Sequence, residues 1–255
     1  MTDAPRAVLI RHGHDPDDDR VFAHLSAAGW RPEVRHPFDG DDLGEMDGGV
    51  GALVVYGGKF CAADTELHPF LRDEFRWMEA ALARGLPLLG ICQGSQMLAK
   101  ILGGWTDASR EGLCEFGFHE IRPVAGGEDV LPGPLHVVQA HFHGFDTPPG
   151  ARALATSDRF PHQAFVAQDN AYAFQFHAEV TPTGFRRWLD AEWWPGPDDA
   201  TRRGVKDRAA QLADLAAHDA AQDAWFRGFL EGLFPTLEGA AAPSGPSRSA
   251  GARVA

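Results

Sequence analysis

Apolar positions along the chain follow two rhythms. Over roughly the first hundred residues, short unbroken apolar runs alternate with stretches in which apolar residues recur every three or four positions. Ala7-Val8-Leu9-Ile10 reads as a first strand, and Val21, Phe22, Leu25 and Ala28 follow at helical spacing with Gly29 as the stop. Residues 33–36 suit a second strand, 39–49 an acidic, glycine-rich loop, and 52–56 a buried strand. Leu71, Phe75, Met78 and Leu82 form one helical stripe that ends before Gly85. Leu88, Leu89 and Ile91 make a buried strand. Met97, Leu98, Ile101 and Leu102 make a helix packed on it, stopped at Gly103-Gly104. This alternation predicts an α/β fold of three layers, a mostly parallel sheet with helices on both faces. Sites in such sheets lie at the carboxyl ends of the strands, where Tyr56-Gly57-Gly58-Lys59 and Cys92 both fall.

From Trp105 onward the rhythm changes. Residues 121–123, 135–139, 152–156, 163–168 and 172–176 read as shorter strands separated by Gly, Pro and Asp turns, a small antiparallel portion of the same sheet. Residues 183–194 read as a helix capped by Thr181, broken by Trp193-Trp194-Pro195-Gly196-Pro197. Residues 201–234 read as one or two alanine-rich helices ending in an apolar face of Trp225, Phe226, Phe229, Leu230, Leu233 and Phe234, expected on burial grounds to pack into the core, with a docking surface as the alternative. The organisation predicted is one domain over 1–194, a helical extension over 195–238 packed on it, and a disordered tail over 239–255.

Composition narrows the function. A formal charge of −13 argues against a nucleic-acid backbone or an anionic membrane as partner. No apolar run is long enough to span a bilayer, and the first residues lack the regions of a signal peptide. The 3 cysteines, Cys61, Cys92 and Cys114, have no metal spacing and cannot all pair, which points to a reducing cytoplasm.

One stretch carries chemistry. Gly90-Ile91-Cys92-Gln93-Gly94 places a cysteine at a turn between strand and helix, the thiol form of the elbow that exposes a nucleophile above a sheet. The positive end of the following helix favours thiolate, and the Gln93 N–H would face charge developing on a bound carbonyl oxygen. Far downstream, Phe174-Gln175-Phe176-His177-Ala178-Glu179 ends an apolar strand in a base and a carboxylate two residues apart, pointing the same way in an extended chain. A cysteine nucleophile needs such a base, and the base needs an acceptor on its other nitrogen. Singly, Cys92 suits a core thiol, His177 a strand-end histidine and Glu179 a surface carboxylate; together they form a candidate triad. His12-Gly13-His14-Asp15, followed by Asp17, Asp18 and Asp19, reads as a polar loop with an Asp helix cap.

With these residues in place, the chain resembles a class I, triad-type glutamine amidotransferase domain, in particular the standalone branch similar to the glutaminase half of GMP synthase. The matching stretches are Val54-Val55-Tyr56-Gly57-Gly58, residues 90–104, Glu115-Phe116-Gly117-Phe118 and Phe174–Val180, in family order over roughly residues 7–190. The resemblance implies a flavodoxin-like fold, Cys92, His177 and Glu179 as catalytic residues, and the backbone N–H groups of Gly58 and Gln93 as oxyanion donors. It implies substrate contacts from Gly57, Gln96 and the segment His141, Phe142 and His143, where the position usually taken by one family histidine falls on either His141 or His143. The His-x-His pair also has metal-ligand spacing, but with no third ligand nearby in sequence neither metal nor cofactor is expected. Position 93 is Gln where relatives often have Leu, 95 is Ser where many have His, and 178 is Ala where most have Pro. The last change loosens the backbone between His177 and Glu179.

The reaction implied is release of ammonia or amine from glutamine or a γ-glutamyl compound through a γ-glutamyl thioester. No Walker-type phosphate loop and no room for a synthetase domain are found, so the nitrogen would pass to a separate synthetase or acceptor enzyme. A γ-glutamyl peptide or conjugate hydrolase acting alone, and a catalytically silent binding or regulatory module, remain alternatives.

Overall fold

The structure, a computed structural model, describes residues 4–108, 112–195 and 205–237. The expected tail over 239–255 lies outside them. The strands are β1 (Arg6–Ile10), β2 (Arg31–Arg35), β3 (Val50–Val55), β4 (Leu88–Ile91), β5 (Thr106–Ala108), β6 (Glu115–Pro123), β7 (Leu135–His141), β8 (His143–Phe145), β9 (Arg152–Thr156), β10 (Ala164–Ala167) and β11 (Ala171–Phe174). The helices are α1 (Arg20–Ala27), α2 (Phe70–Ala83), α3 (Gln93–Ile101), α4 (Pro182–Leu189) and α5 (Arg208–Leu233).

Nine strands form one sheet in the order β2-β1-β3-β4-β11-β10-β9-β6-β7. The first five are mutually parallel, and the rest continue antiparallel. A separate antiparallel ribbon joins β5 and β8. Alternation along the buried strands sorts side chains to two faces. Ala7, Leu9, Ala52, Val54, Leu89 and Ile91 pack with Val21 and Leu25 of α1 and Phe226 and Leu230 of α5. Val8, Ile10, Leu53, Val55 and Leu88 pack with Leu71, Trp77 and Met78 of α2 and Met97 and Leu98 of α3. The three-layer expectation holds, and the apolar end of α5 is core: Phe226 and Phe234 are fully buried.

Four boundaries differ from the sequence reading. α4 stops at Leu189, short of Trp194, because Trp194 turns back to pack its ring on Phe116 and Phe185. The residues from 208 onward form one helix of 26 residues, with Asp207 as its cap. β6 runs unbroken from Glu115, so the Glu115-Phe116-Gly117-Phe118 stretch and the 121–123 strand are one element. β2 begins and ends slightly earlier than expected, fixed by its register with β1, Arg6 opposite Arg31.

β4 and β11 lie side by side, with Phe174 opposite Ile91. Two chain segments distant in sequence therefore deliver Cys92 and His177 to one edge of the sheet.

Candidate active site

Cys92 sits between β4 and α3 with φ 50° and ψ −105°, a left-handed backbone in a residue that has a Cβ. Such strain persists only where the surroundings impose it. The surroundings do: the Cys92 N–H donates to the Phe174 carbonyl at 2.7 Å, and its carbonyl accepts from the Ser95 hydroxyl at 2.6 Å and the Gln96 N–H at 3.1 Å. The flanking glycines are required by contact. A Cβ on Gly94 would stand 2.0 Å from the Val55 carbonyl oxygen, and one on Gly90 2.6 Å from the Gly94 oxygen. The elbow thus closes only because both positions lack a side chain.

His177 meets Cys92 across this turn. The imidazole Nδ1 lies 2.8 Å from Glu179 Oε1, and the Cys92 sulfur lies near enough to the ring to raise its pKa. A Cβ on Gly57 would fall 2.7 Å from His177 Cε1 and 3.1 Å from Cys92 Cβ, so the three residues enclose one small space. Burial alone would keep the ring neutral. The charge of Glu179, then that of the Cys92 sulfur, outweighs it and raises the pKa from 6.5 to about 10. Trp188 packs edge-on against the ring at 5.0 Å between centroids. The three sequence-predicted triad members are therefore brought together and buried.

Gly57 and Gly58 leave β3 beside the cysteine. Here His12 departs from its expected place in a polar loop. Its side chain is fully buried, with Nε2 2.9 Å from Glu74 Oε2 of α2 and Nδ1 3.3 Å from the Gly57 carbonyl. It is inward because Glu74, 62 positions away, offers a buried partner, a pairing with no local signature. Gln93 joins the same cluster: Nε2 is 3.1 Å from His12 Nε2, and Oε1 accepts from the Phe60 N–H at 3.1 Å. Gln93 so ties the loop after β3 to the first turn of α3. The expected cap is found at Asp19, whose Oδ1 accepts from the Val21 and Phe22 N–H groups at 2.9 and 3.0 Å.

A cavity of about 680 Å³ opens over Cys92, and Gly57, Gly58, Gln93, Gln96, His141, Phe142 and His143 all line it. Gln96 is buried, with its amide nitrogen 3.2 Å from Gln175 Oε1. The two histidines part company. His141 is buried, its Nε2 3.2 Å from Glu115 Oε2 and its Nδ1 2.8 Å from the His143 carbonyl, and Ser157 and Gln163 complete the contacts of Glu115. His143 lies on the outer side with Cys61 and Asp107, the ligand atoms of these three within 4.8 Å of one another. His141 and His143 thus do not form a chelating pair. Glu74 and Glu115 were missed in sequence as site-supporting residues, since a lone Glu in an amphipathic helix or a strand reads as solvated.

The described residues include no helix long and apolar enough to cross a membrane. The model of the glutamine amidotransferase class-I family matches residues 37–193. The GMP synthase [glutamine-hydrolyzing] of Aeropyrum pernix is 36% identical over 199 residues, covering 75% of this chain and 36% of that protein. The chain thus spans little more than a third of the length of that relative, and less of others. A glutamine amidotransferase structure from Thermotoga maritima shares 28% identity with a TM-score of 0.78, covering 90% of this chain and 97% of the other. One from Methylobacillus flagellatus, 23% identical with a TM-score of 0.80 over 93% and 96%, shares the fold.

Proposed function

The chain belongs to the glutamine amidotransferase class-I family, and on that premise we propose that it hydrolyses the γ-amide bond of glutamine or a γ-glutamyl compound with Cys92, His177 and Glu179. The observation that carries this reading is the imidazole lodged between the Glu179 carboxylate and the Cys92 sulfur, its pKa raised to about 10 by those two neighbours. A ring so placed is an imidazolium at neutral pH, the form able to protonate a leaving nitrogen.

The steps follow from that geometry. The Cys92 sulfur attacks the γ-carbonyl carbon, and the oxygen gains charge facing the N–H groups of Gly58 and Gln93. Removing one such donor typically costs on the order of a hundred- to thousandfold in rate. His177 gives its proton to the departing ammonia or amine as the carbon–nitrogen bond breaks. The neutral ring then takes a proton from water, whose oxygen attacks the γ-glutamyl thioester. Glutamate leaves, and the sulfur and imidazolium are restored. Glu179 keeps the ring turned toward Cys92 and stabilises its charge. Gly57, Gln96, His141, Phe142 and His143 shape the site for the amino-acid end of the substrate.

The released nitrogen has two destinations. Delivery to a synthetase or acceptor enzyme is the reading suggested by the relatives, which are GMP synthases [glutamine-hydrolyzing]. Release as a free amine is favoured by the cavity itself. At about 680 Å³ it is in the range of roughly 300–1,000 Å³ that holds drug-sized ligands, far more than glutamine fills. Its lining includes the rings of Phe38, Phe60, Trp188 and Trp193 beside the charged Asp15, Asp18, Lys59 and Arg187. Those rings suit a γ-glutamyl conjugate whose amine half is bulky and apolar.

Glutamate release from glutamine and from γ-glutamyl anilide, with Cys92→Ser beside the parent, tests the reading. Release from either substrate that Cys92→Ser abolishes supports hydrolysis by the triad; no release from either favours the silent binding module. A higher kcat/KM for the anilide supports the conjugate hydrolase, and a rate on glutamine that rises only with an added synthetase supports the delivery reading.

A further inference from the structure

The carboxylate that orients His177 is itself weakly held. Glu179 Oε2 is buried without a hydrogen-bond partner among the described residues, so the side chain hangs on one bond to His177 and on its own backbone. That backbone carries Ala178, where the family resemblance leads one to expect the stiffer Pro.

One residue supplies the missing constraint. Three consecutive carbonyl oxygens, those of Ala178, Glu179 and Val180, all accept from Arg20. Its Nη1 donates to Ala178 at 3.1 Å and to Val180, and its main-chain N–H donates to Glu179 at 2.8 Å. The other guanidinium nitrogens turn to α5. Nη2 donates to Asp219 Oδ1 at 2.6 Å and Nε to Asp223 Oδ1 at 2.8 Å. Arg20 is 9% exposed, and a charge so buried keeps its geometry only while paired. Its planar fork suits the task, since it can satisfy two carbonyls and two carboxylates at once.

The same face of α5 holds the other flank. Gln222, between the two aspartates, accepts from the Val138 N–H at 2.8 Å, and the Val138 carbonyl accepts from the His177 N–H at 2.7 Å. Asp219, Gln222 and Asp223, at spacings of three and four, form one stripe of the helix. Neither Arg20 nor α5 lies within residues 37–193, the span of the family match.

We propose that Arg20, aligned by Asp219 and Asp223, is a positioning residue for Glu179 and His177, which makes α5 part of the catalytic apparatus. The proposal rests on the triad reading of Cys92, His177 and Glu179. Loosening the clamp lets the 178–180 backbone drift, the carboxylate turns away, and the imidazole loses its aim at the sulfur. Substrate contacts remain in place.

The test is the double variant Asp219→Asn, Asp223→Asn, which keeps side-chain shape and removes both charges. Its kcat on glutamine or γ-glutamyl anilide is expected to fall on the order of tenfold, the lower range for losing an outer partner of a functional histidine, with KM changed by less than about twofold. The alkylation rate of Cys92 by iodoacetamide, read by peptide mass spectrometry and needing no substrate, is expected to fall with it. Asp219→Glu, Asp223→Glu restores both rates to within about threefold of the parent. Parental kcat and alkylation rate in the Asn variant overturn the proposal, as does a loss that only tracks the fraction unfolded in a thermal melt. A parent that hydrolyses nothing, yet whose Cys92 alkylation slows in the Asn variant, sinks the hydrolytic reading and leaves the clamp standing.

Discussion

His177 ties the chemistry of the site to the stability of the chain. Its pKa is raised from 6.5 to about 10, against burial, by Glu179 and the Cys92 sulfur. A raised histidine stabilises the folded state in full below its unfolded pKa and loses that contribution as pH rises through the folded value. Unfolding free energy is therefore expected to decline from about pH 6.5 to about pH 10 more steeply in the parent than in Glu179→Gln, measured by urea titration across that window. Equal slopes would contradict the assignment of Glu179 as the principal charge on the ring. Gly57 gives a second residue-scale prediction. A methyl there would sit 2.7 Å from His177 Cε1, and the backbone does not need glycine's left-handed region. Gly57→Ala should lower kcat at least about tenfold and destabilise the fold by about 1–2 kcal/mol, the lower part of the overpacking range, in steady-state assays and melts. At this scale the sequence was legible where chemistry dictates spacing. Cys92 between two glycines, and His177 two residues from Glu179, are readable without coordinates. His12 was not, because a histidine followed by Gly13, His14 and Asp15 reads as solvated until the distant Glu74 is placed against it.

Among the elements, the β4–α3 turn carries the sharpest steric demand. Gly94→Ala would drive a methyl into the Val55 carbonyl at 2.0 Å, a backbone atom that cannot rotate away. It should destabilise the fold by about 3 kcal/mol or more, the upper range for overpacking, seen as a lower urea midpoint. An unchanged midpoint would mean the elbow yields. The contrast with Gly57→Ala separates a glycine needed for closure from one needed for access. Strands and helices of the parallel half were legible because each is a short buried run or a single stripe. β5 and β8 escaped notice: three residues each, they exist through pairing with one another, Thr106 opposite Phe145. α4 was read too long because an aromatic run resembles a helix face, whereas Trp194 belongs to a ring cluster with Phe116 and Phe185.

The molecule as a whole joins its C-terminal helix to the site through one core. Phe226, Leu230, Leu233 and Phe234 are buried in one core cluster with side chains of β1, β3 and β4; α5 itself lies against β6, β7 and α1, and Trp225 and Phe229 pack on Phe174, two residues from Phe176 and three from His177. Removing residues 205–237 exposes that face of the sheet. The truncated chain is expected to aggregate or to elute as a larger species in size-exclusion chromatography, and a folded, monomeric truncate would contradict the shared core. The apolar pattern of residues 225–234 already pointed inward. What the sequence withheld was the polar side of the same helix, since Asp219 and Asp223 gain their meaning only when α1 brings Arg20 across to them.

The claim on which the rest depends is that Cys92 becomes acylated during turnover. Peptide-mapping mass spectrometry of the chain quenched in acid while consuming glutamine or γ-glutamyl anilide tests it directly. The account predicts a γ-glutamyl group on the peptide bearing Cys92, absent from Cys92→Ser. Glutamate formed with no adduct on that peptide, at a rate Cys92→Ser leaves unchanged, would contradict it.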